Sequence, residues 1–115
     1  MSYEILPTRR FQKDVKTLAK KYRKIKQDLM VLQALLKNNP EQADAIPGLK
    51  EKIYKIRLQN SDLVSGKRGG YRIVYFLDRE EKVVHLLSMY VKGEKETIRK
   101  KELLQLMKQE NLLPL

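Results

Sequence analysis

Tyr54, Ile56 and Leu58 alternate with Lys55, Arg57 and Gln59, a period of two that predicts a strand with one apolar face and one basic face. The same alternation runs through Tyr71, Ile73, Tyr75 and Leu77, leaving Arg72 on the opposite side with Val74 and Phe76. After a polar turn at residues 78–81, residues 82–90 make a third long apolar stretch. Strands that follow one another this closely are antiparallel neighbours.

Ahead of these strands lies a short β-prone segment at residues 3–6, closed by Pro7, which holds the residue before it extended. Thr8 is placed to cap a helix, and Phe11, Val15, Leu18, Ala19 and Tyr22 recur at helical spacing, so the first helix should run to about Tyr22. A second stripe at Ile25, Leu29, Leu32 and Leu36, widened by Val31 and Leu35, stops at Asn38, Asn39 and Pro40. Two such helices in succession predict an antiparallel hairpin. Residues 39–51 are polar, with a Pro47-Gly48 turn signal, and read as a surface loop. Residues 94–109 carry Ile98, Leu103, Leu106 and Met107 at mixed helical spacing and read as a closing helix. The order β-α-α-β-β-β-α, with no repeat or linker, predicts a single α+β domain over residues 1–115. In it the helical hairpin packs on one face of a mostly antiparallel sheet and the other face is free for binding.

Composition narrows the partner. The chain has 115 residues and 42% hydrophobic content, enough for one modest core. Its 25 Lys and Arg against 14 Asp and Glu leave a net charge of +11, which favours a polyanionic partner such as RNA, DNA or an acidic protein. The absence of cysteine excludes disulfides, thiolate chemistry and cysteine-ligated zinc. With no signal-like start and no apolar window long enough to span a bilayer, the expectation is a cytoplasmic protein with no membrane partner.

The chain has one histidine, His85, and no spaced carboxylate cluster on the expected sheet. We therefore expect no metal, no cofactor and no serine triad, with His85 a structural residue of its strand. What remains is cationic chemistry on phosphate. Arg57 and Arg72 project from neighbouring strands on the non-core face, where two guanidinium groups could clamp a phosphodiester and favour the charge that builds on its oxygens. Lys55 shares that face and could orient a phosphate or act as a base. An exposed basic face with no catalytic duty fits the same pattern equally well. Lys67 and Arg68, set among glycines in the loop at residues 65–70, could follow a nucleic-acid backbone, or the glycines could serve only the strand entry; the spacing is not that of a P-loop. Arg9 and Arg10 at the first helix N-terminus oppose the macrodipole, a small cost that is understandable if they meet an anion.

The segments YKIRLQ, GKRGGYRIVYFLD and VVHLLSMYVKGEKE resemble the RelE/ParE toxin superfamily of type II toxin-antitoxin systems, its RelE/HigB-like branch most closely. The resemblance implies a RelE-like fold and a ribosome-dependent, metal-independent mRNA endoribonuclease that inhibits translation. In that chemistry the RNA 2′-hydroxyl attacks, leaving a 2′,3′-cyclic phosphate and a 5′-hydroxyl. Catalytic roles carry over to Lys55, Arg57 and Arg72, with Lys92 nearby, and RNA contacts to Lys67, Arg68, Tyr90 and Lys95. The implied partners are a cognate antitoxin, mRNA and the ribosome, with operator DNA reached only through the antitoxin complex. The chain departs from the family at Gly93, where an arginine is expected and Lys92 and Lys95 are the nearby substitutes. It departs again at Ile98 and Arg99, in the region of a family tyrosine that has only Tyr90 as a stand-in. The same fold also serves ParE-like gyrase poisons, and a non-catalytic module that binds antitoxin or nucleic acid is a further alternative.

Overall fold

The computed structural model describes residues 2–63, 70–93 and 98–115. The elements run β1 (Glu4–Pro7), α1 (Arg9–Ala19), α2 (Ile25–Asn38), β2 (Asp44–Ala45), β3 (Ile53–Leu58), β4 (Tyr71–Asp78), β5 (Val83–Val91) and α3 (Lys100–Gln109). Five strands form one sheet in the order β1-β5-β4-β3-β2, with β1 parallel to β5 and every other pair antiparallel. The expected α+β arrangement, a helical hairpin on a mostly antiparallel sheet, is therefore present. Pro7 sits inside β1 and is tolerated there because β1 is an edge strand.

Thr8 caps α1 as its position suggests: its hydroxyl accepts from the Phe11 N–H at 3.2 Å and donates to the Leu86 carbonyl at 2.8 Å. The helix ends at Ala19, short of the expected Tyr22, but the Tyr22 N–H still reaches the Leu18 carbonyl. That turn buries Tyr22 edge-on to Tyr71, with ring centroids 5.8 Å apart. In α2 the buried positions are Ile25, Asp28, Leu32 and Leu36. Val31 and Leu35, expected to widen the stripe, are exposed together with Met30; a residue one position off a helical stripe is turned about a quarter of the circumference away from it. The N-terminus of α2 is tied to the end of β3 by Asp28, whose carboxylate accepts from the Ser61 backbone N–H at 3.0 Å and from the Ser61 hydroxyl. The stretch expected to be wholly loop contains the two-residue strand β2, added to the β3 edge.

Both faces of the sheet are used. Tyr54, Leu58, Tyr71, Ile73, Tyr75 and Leu77 join Phe11, Tyr22, Ile25, Leu32 and Leu36 under the helical hairpin. On the opposite face Ile53, Val74, Phe76 and Leu87 pack against Ile98, Leu103, Leu106 and Met107. The expectation of a free second face is thus corrected: α3 covers one half of it. The helix itself begins at Lys100 rather than near residue 94, and residues 94–97 lie outside those described. Between Val74 and Tyr75 the register with β5 shifts, since Val74 faces Ser88 while Tyr75 faces Leu86. Leu87 is the extra residue of this bulge, which changes the parity of the alternation so that Val84 and Leu86 before it and Met89 and Val91 after it all face the first core. Among the described residues no helix is long and apolar enough to cross a membrane.

Candidate functional site

The half of the second face that α3 leaves open is cationic. Arg57 of β3 lies directly opposite Arg72 of β4, which in turn lies opposite Tyr90 of β5. These three form one cross-strand row, and Lys55 is two residues from Arg57 on the same face, opposite Val74. Directly opposed side chains of an antiparallel pair leave the backbone about 5 Å apart, so two like charges there repel. The repulsion registers at Arg72: burial, and after it the Arg57 guanidinium, push its pKa below the ordinary arginine value, with Tyr90 pulling it partly back. Arginine remains protonated regardless.

Among the described residues Arg72 is held by backbone carbonyls, with its Nη1 donating to Gly70 and Tyr71, each at 3.2 Å. Gly70 is tightly set, for a Cβ there would stand 3.0 Å from the Leu58 carbonyl oxygen and 3.6 Å from Arg72 Nη1. No carboxylate of the described residues pairs with Lys55, Arg57 or Arg72. Two other arginines, Arg79 and Arg10, do find anions within the chain. Arg79 donates to Glu41 at 3.0 Å and to the Tyr54 hydroxyl at 2.7 Å. Arg10 meets Asp14 at 3.1 Å and Glu102 at 3.4 Å, and the Arg9 backbone N–H donates to Glu110. The anions at the α1 N-terminus are therefore the chain's own. Asp14 does double duty, since its second oxygen accepts from the Met89 N–H at 3.0 Å and so caps β5 beyond the end of β1.

Of the other expected site residues, Tyr90 stands beside Arg72 with its ring in the second core and only 6% exposed. It offers a hydroxyl to the site rather than a ring face for stacking. Lys92 is exposed just past β5, its N–H donating to the Gly70 carbonyl, at the outer end of the row. Lys67, Arg68 and Lys95 lie outside the described residues. Gly93 has φ +95° with open space around its Cβ position, so the arginine expected there is disfavoured by backbone conformation and not by crowding. Gly93→Arg is expected to lower stability by about 1 to 2 kcal/mol, measured as a fall in thermal midpoint.

His85 is remote from the row. It is half-buried and stacks on Phe76 at 5.5 Å, and its pKa is lowered from 6.5, chiefly by burial, against the raising influence of Asp78, Glu110 and Glu4. Between the lowered and the ordinary value the unfolded chain binds more protons than the folded one, so stability is lost as pH falls through that window and recovered as it rises. Thermal midpoints across about pH 5 to 8 should show this slope, and His85→Asn should flatten it.

Signals for several neighbours of the site were weak in the sequence. Gly70 was one glycine among three in its loop. Asp44, which faces Lys55 across the β2 edge, belonged to a stretch without periodicity. Ser88, buried on β5 in line with Lys55 and Val74, has a hydroxyl with no hydrogen-bond partner among the described residues.

The family model of the ParE toxin of the type II toxin-antitoxin system parDE matches residues 5–89, a span that holds the sheet and the cations on it. The chain belongs to the ParE toxin family. Comparison with curated proteins returns no sequence match. Among solved structures, this ParE family member is similar to a double arginine-to-alanine mutant of the E. coli toxin RelE in the free state, with a TM-score of 0.60 and 24% identity, covering 95% of this chain and 98% of that one. It is also similar to a chain of the archaeal RelE-RelB complex from Pyrococcus horikoshii OT3, with a TM-score of 0.55 and 17% identity, covering 83% of this chain and all of the other. These likenesses establish a fold shared with RelE toxins. Together with the family match they make the protein a toxin of the RelE/ParE superfamily.

Proposed function

We propose that this toxin is a metal-independent mRNA endoribonuclease acting at the ribosome and held inactive by a cognate antitoxin. The observation that carries the reading is the set of cations on the surface of β3 and β4: among the described residues Lys55, Arg57 and Arg72 have no carboxylate partner, whereas Arg10 and Arg79 each have one. Keeping Arg57 opposite Arg72 costs stability, a cost that an arriving phosphodiester offsets. The two guanidinium groups grip its non-bridging oxygens and stabilise the charge that develops as the 2′-hydroxyl attacks. Lys55, two residues along β3, and Lys92, just past β5, are the ammonium groups available to assist proton transfer and to hold flanking phosphates. Tyr90 is a positioning residue for Arg72. The antitoxin partner is supported by the family match and by the RelE-RelB assembly of the archaeal relative, and a chain of net charge +11 favours an acidic one.

Induced expression followed by mapping of RNA 5′ ends tests this directly. New 5′-hydroxyl ends inside coding regions are expected. Gyrase poisoning is the second reading, favoured by the ParE family model itself. Growth arrest with DNA damage signalling and no new RNA ends would select it.

A further inference from the structure

Lys55 borders a second feature. A cleft of about 350 Å³ opens between the β2 edge and the start of α3, lined among others by Asp44, Ile46, Pro47, Lys55, Lys100 and Leu103. Asp44 is paired in register with Lys55 and so lies on the same side of the sheet. It is exposed, and among the described residues no hydrogen bond or ion pair engages its side chain. The cleft therefore combines aliphatic walls with one carboxylate and two ammonium groups.

Its position relative to the cation row is what gives it meaning. Lys55 and Arg57 are two residues apart on one strand, about 7 Å, on the order of one nucleotide step. An RNA with its phosphate on Arg57 and Arg72 brings the adjoining base to the cleft. Proteins read single-stranded bases by laying side chains against the ring and hydrogen-bonding its Watson–Crick edge. A carboxylate can only accept. Guanine alone presents two adjacent N–H donors on that edge, at N1 and N2. Adenine and cytosine present one amino group beside an acceptor, and uracil flanks its single N–H with two carbonyl oxygens. We infer that the cleft is a nucleobase subsite that selects guanine beside the scissile phosphate, with Asp44 accepting from N1–H and N2–H. Lys55 and Lys100 keep the carboxylate from repelling the RNA backbone. The inference rests on the ribonuclease reading above.

The test compares cleavage-site maps of the wild type, Asp44→Asn, Asp44→Ala and Asp44→Glu on one RNA pool. The wild type should cut with guanine enriched at a nucleotide flanking the break, and Asn and Ala should reduce that preference about tenfold, with partial return in Glu. Because the readout is a ratio between sites, a general gain in RNA affinity from losing a negative charge leaves it unmoved. Asp44 is an exposed residue of a two-residue edge strand, and circular dichroism verifies that each variant is folded. Cutting with no guanine enrichment, or an enrichment equal in all four proteins, overturns the subsite and leaves the ribonuclease reading standing. Loss of antitoxin binding with an unchanged preference marks the cleft as a protein contact and overturns it as well. No RNA cutting by the wild type overturns both.

Discussion

Arg72→Ala is expected to lower RNA cleavage by about a hundredfold to a thousandfold and to relieve growth arrest on induction. That is the loss of about 3 to 4 kcal/mol of transition-state stabilisation, the size seen when a positioned charge-stabilising donor is removed. The structure separates this from misfolding. Among the described residues Arg72 makes no ion pair with a carboxylate, and its side-chain hydrogen bonds go to the carbonyls of Gly70 and Tyr71. It also faces Arg57 across the strand pair. Removing it relieves a like-charge contact worth a few tenths of a kcal/mol, so the thermal midpoint should hold or rise slightly while cutting collapses. Arg72→Lys should recover only part of the activity, because an ammonium cannot make the two parallel hydrogen bonds of a guanidinium. A variant that cuts as well as the parent would remove Arg72 from the site.

Met107→Ala should have the largest effect on stability, about 2 to 5 kcal/mol. Met107 is fully buried in α3, in the cluster that includes Val74, Phe76 and Leu87 of the sheet. Truncating it leaves a cavity between the helix and the second face. Denaturant unfolding of the two proteins gives the difference. A sheet whose second face was free would make α3 a dispensable tail and Met107→Ala nearly neutral, so a change under about 0.5 kcal/mol would contradict the packing described. The functional consequence runs through the same contact: α3 borders the open half of the face, and Lys100 and Leu103 line the cleft beside Lys55.

The two variants bracket how the face is divided. Its apolar half is sealed by Ile98, Leu103, Leu106 and Met107, and its other half carries Arg57, Arg72 and Lys55. Both halves were present in the alternation of β4, where Arg72 shares a side with Val74 and Phe76. A stretch that is apolar on both sides is the mark of a strand covered on both sides, and that reading would have brought a helix onto the second face. The cations of β3 drew the opposite conclusion. Arg9 and Arg10 show a related difficulty. Their position implied an anion, but charge along a sequence does not say whether the anion is foreign or supplied by the chain, as it is by Asp14 one turn on in the same helix and by Glu102 and Glu110 from distant positions.

Side-chain periodicity by itself determined the α+β class, the hairpin of α1 and α2, the Thr8 cap, and the placing of Lys55, Arg57 and Arg72 on one side of β3 and β4. These follow from local geometry, since alternation in a strand and spacing in a helix are set within a few residues. Tertiary structure alone decided the rest. The pairing register put Arg57, Arg72 and Tyr90 in one row, and the bulge at Leu87 switched the alternation of β5 so that Leu86 and Met89 both face the first core. The docking of α3 left open only the charged half of the second face, and the added strand β2 brought Asp44 against Lys55. Register, bulges and helix docking depend on contacts between residues far apart in the chain, and no local pattern encodes which partner a strand edge or an apolar face will meet.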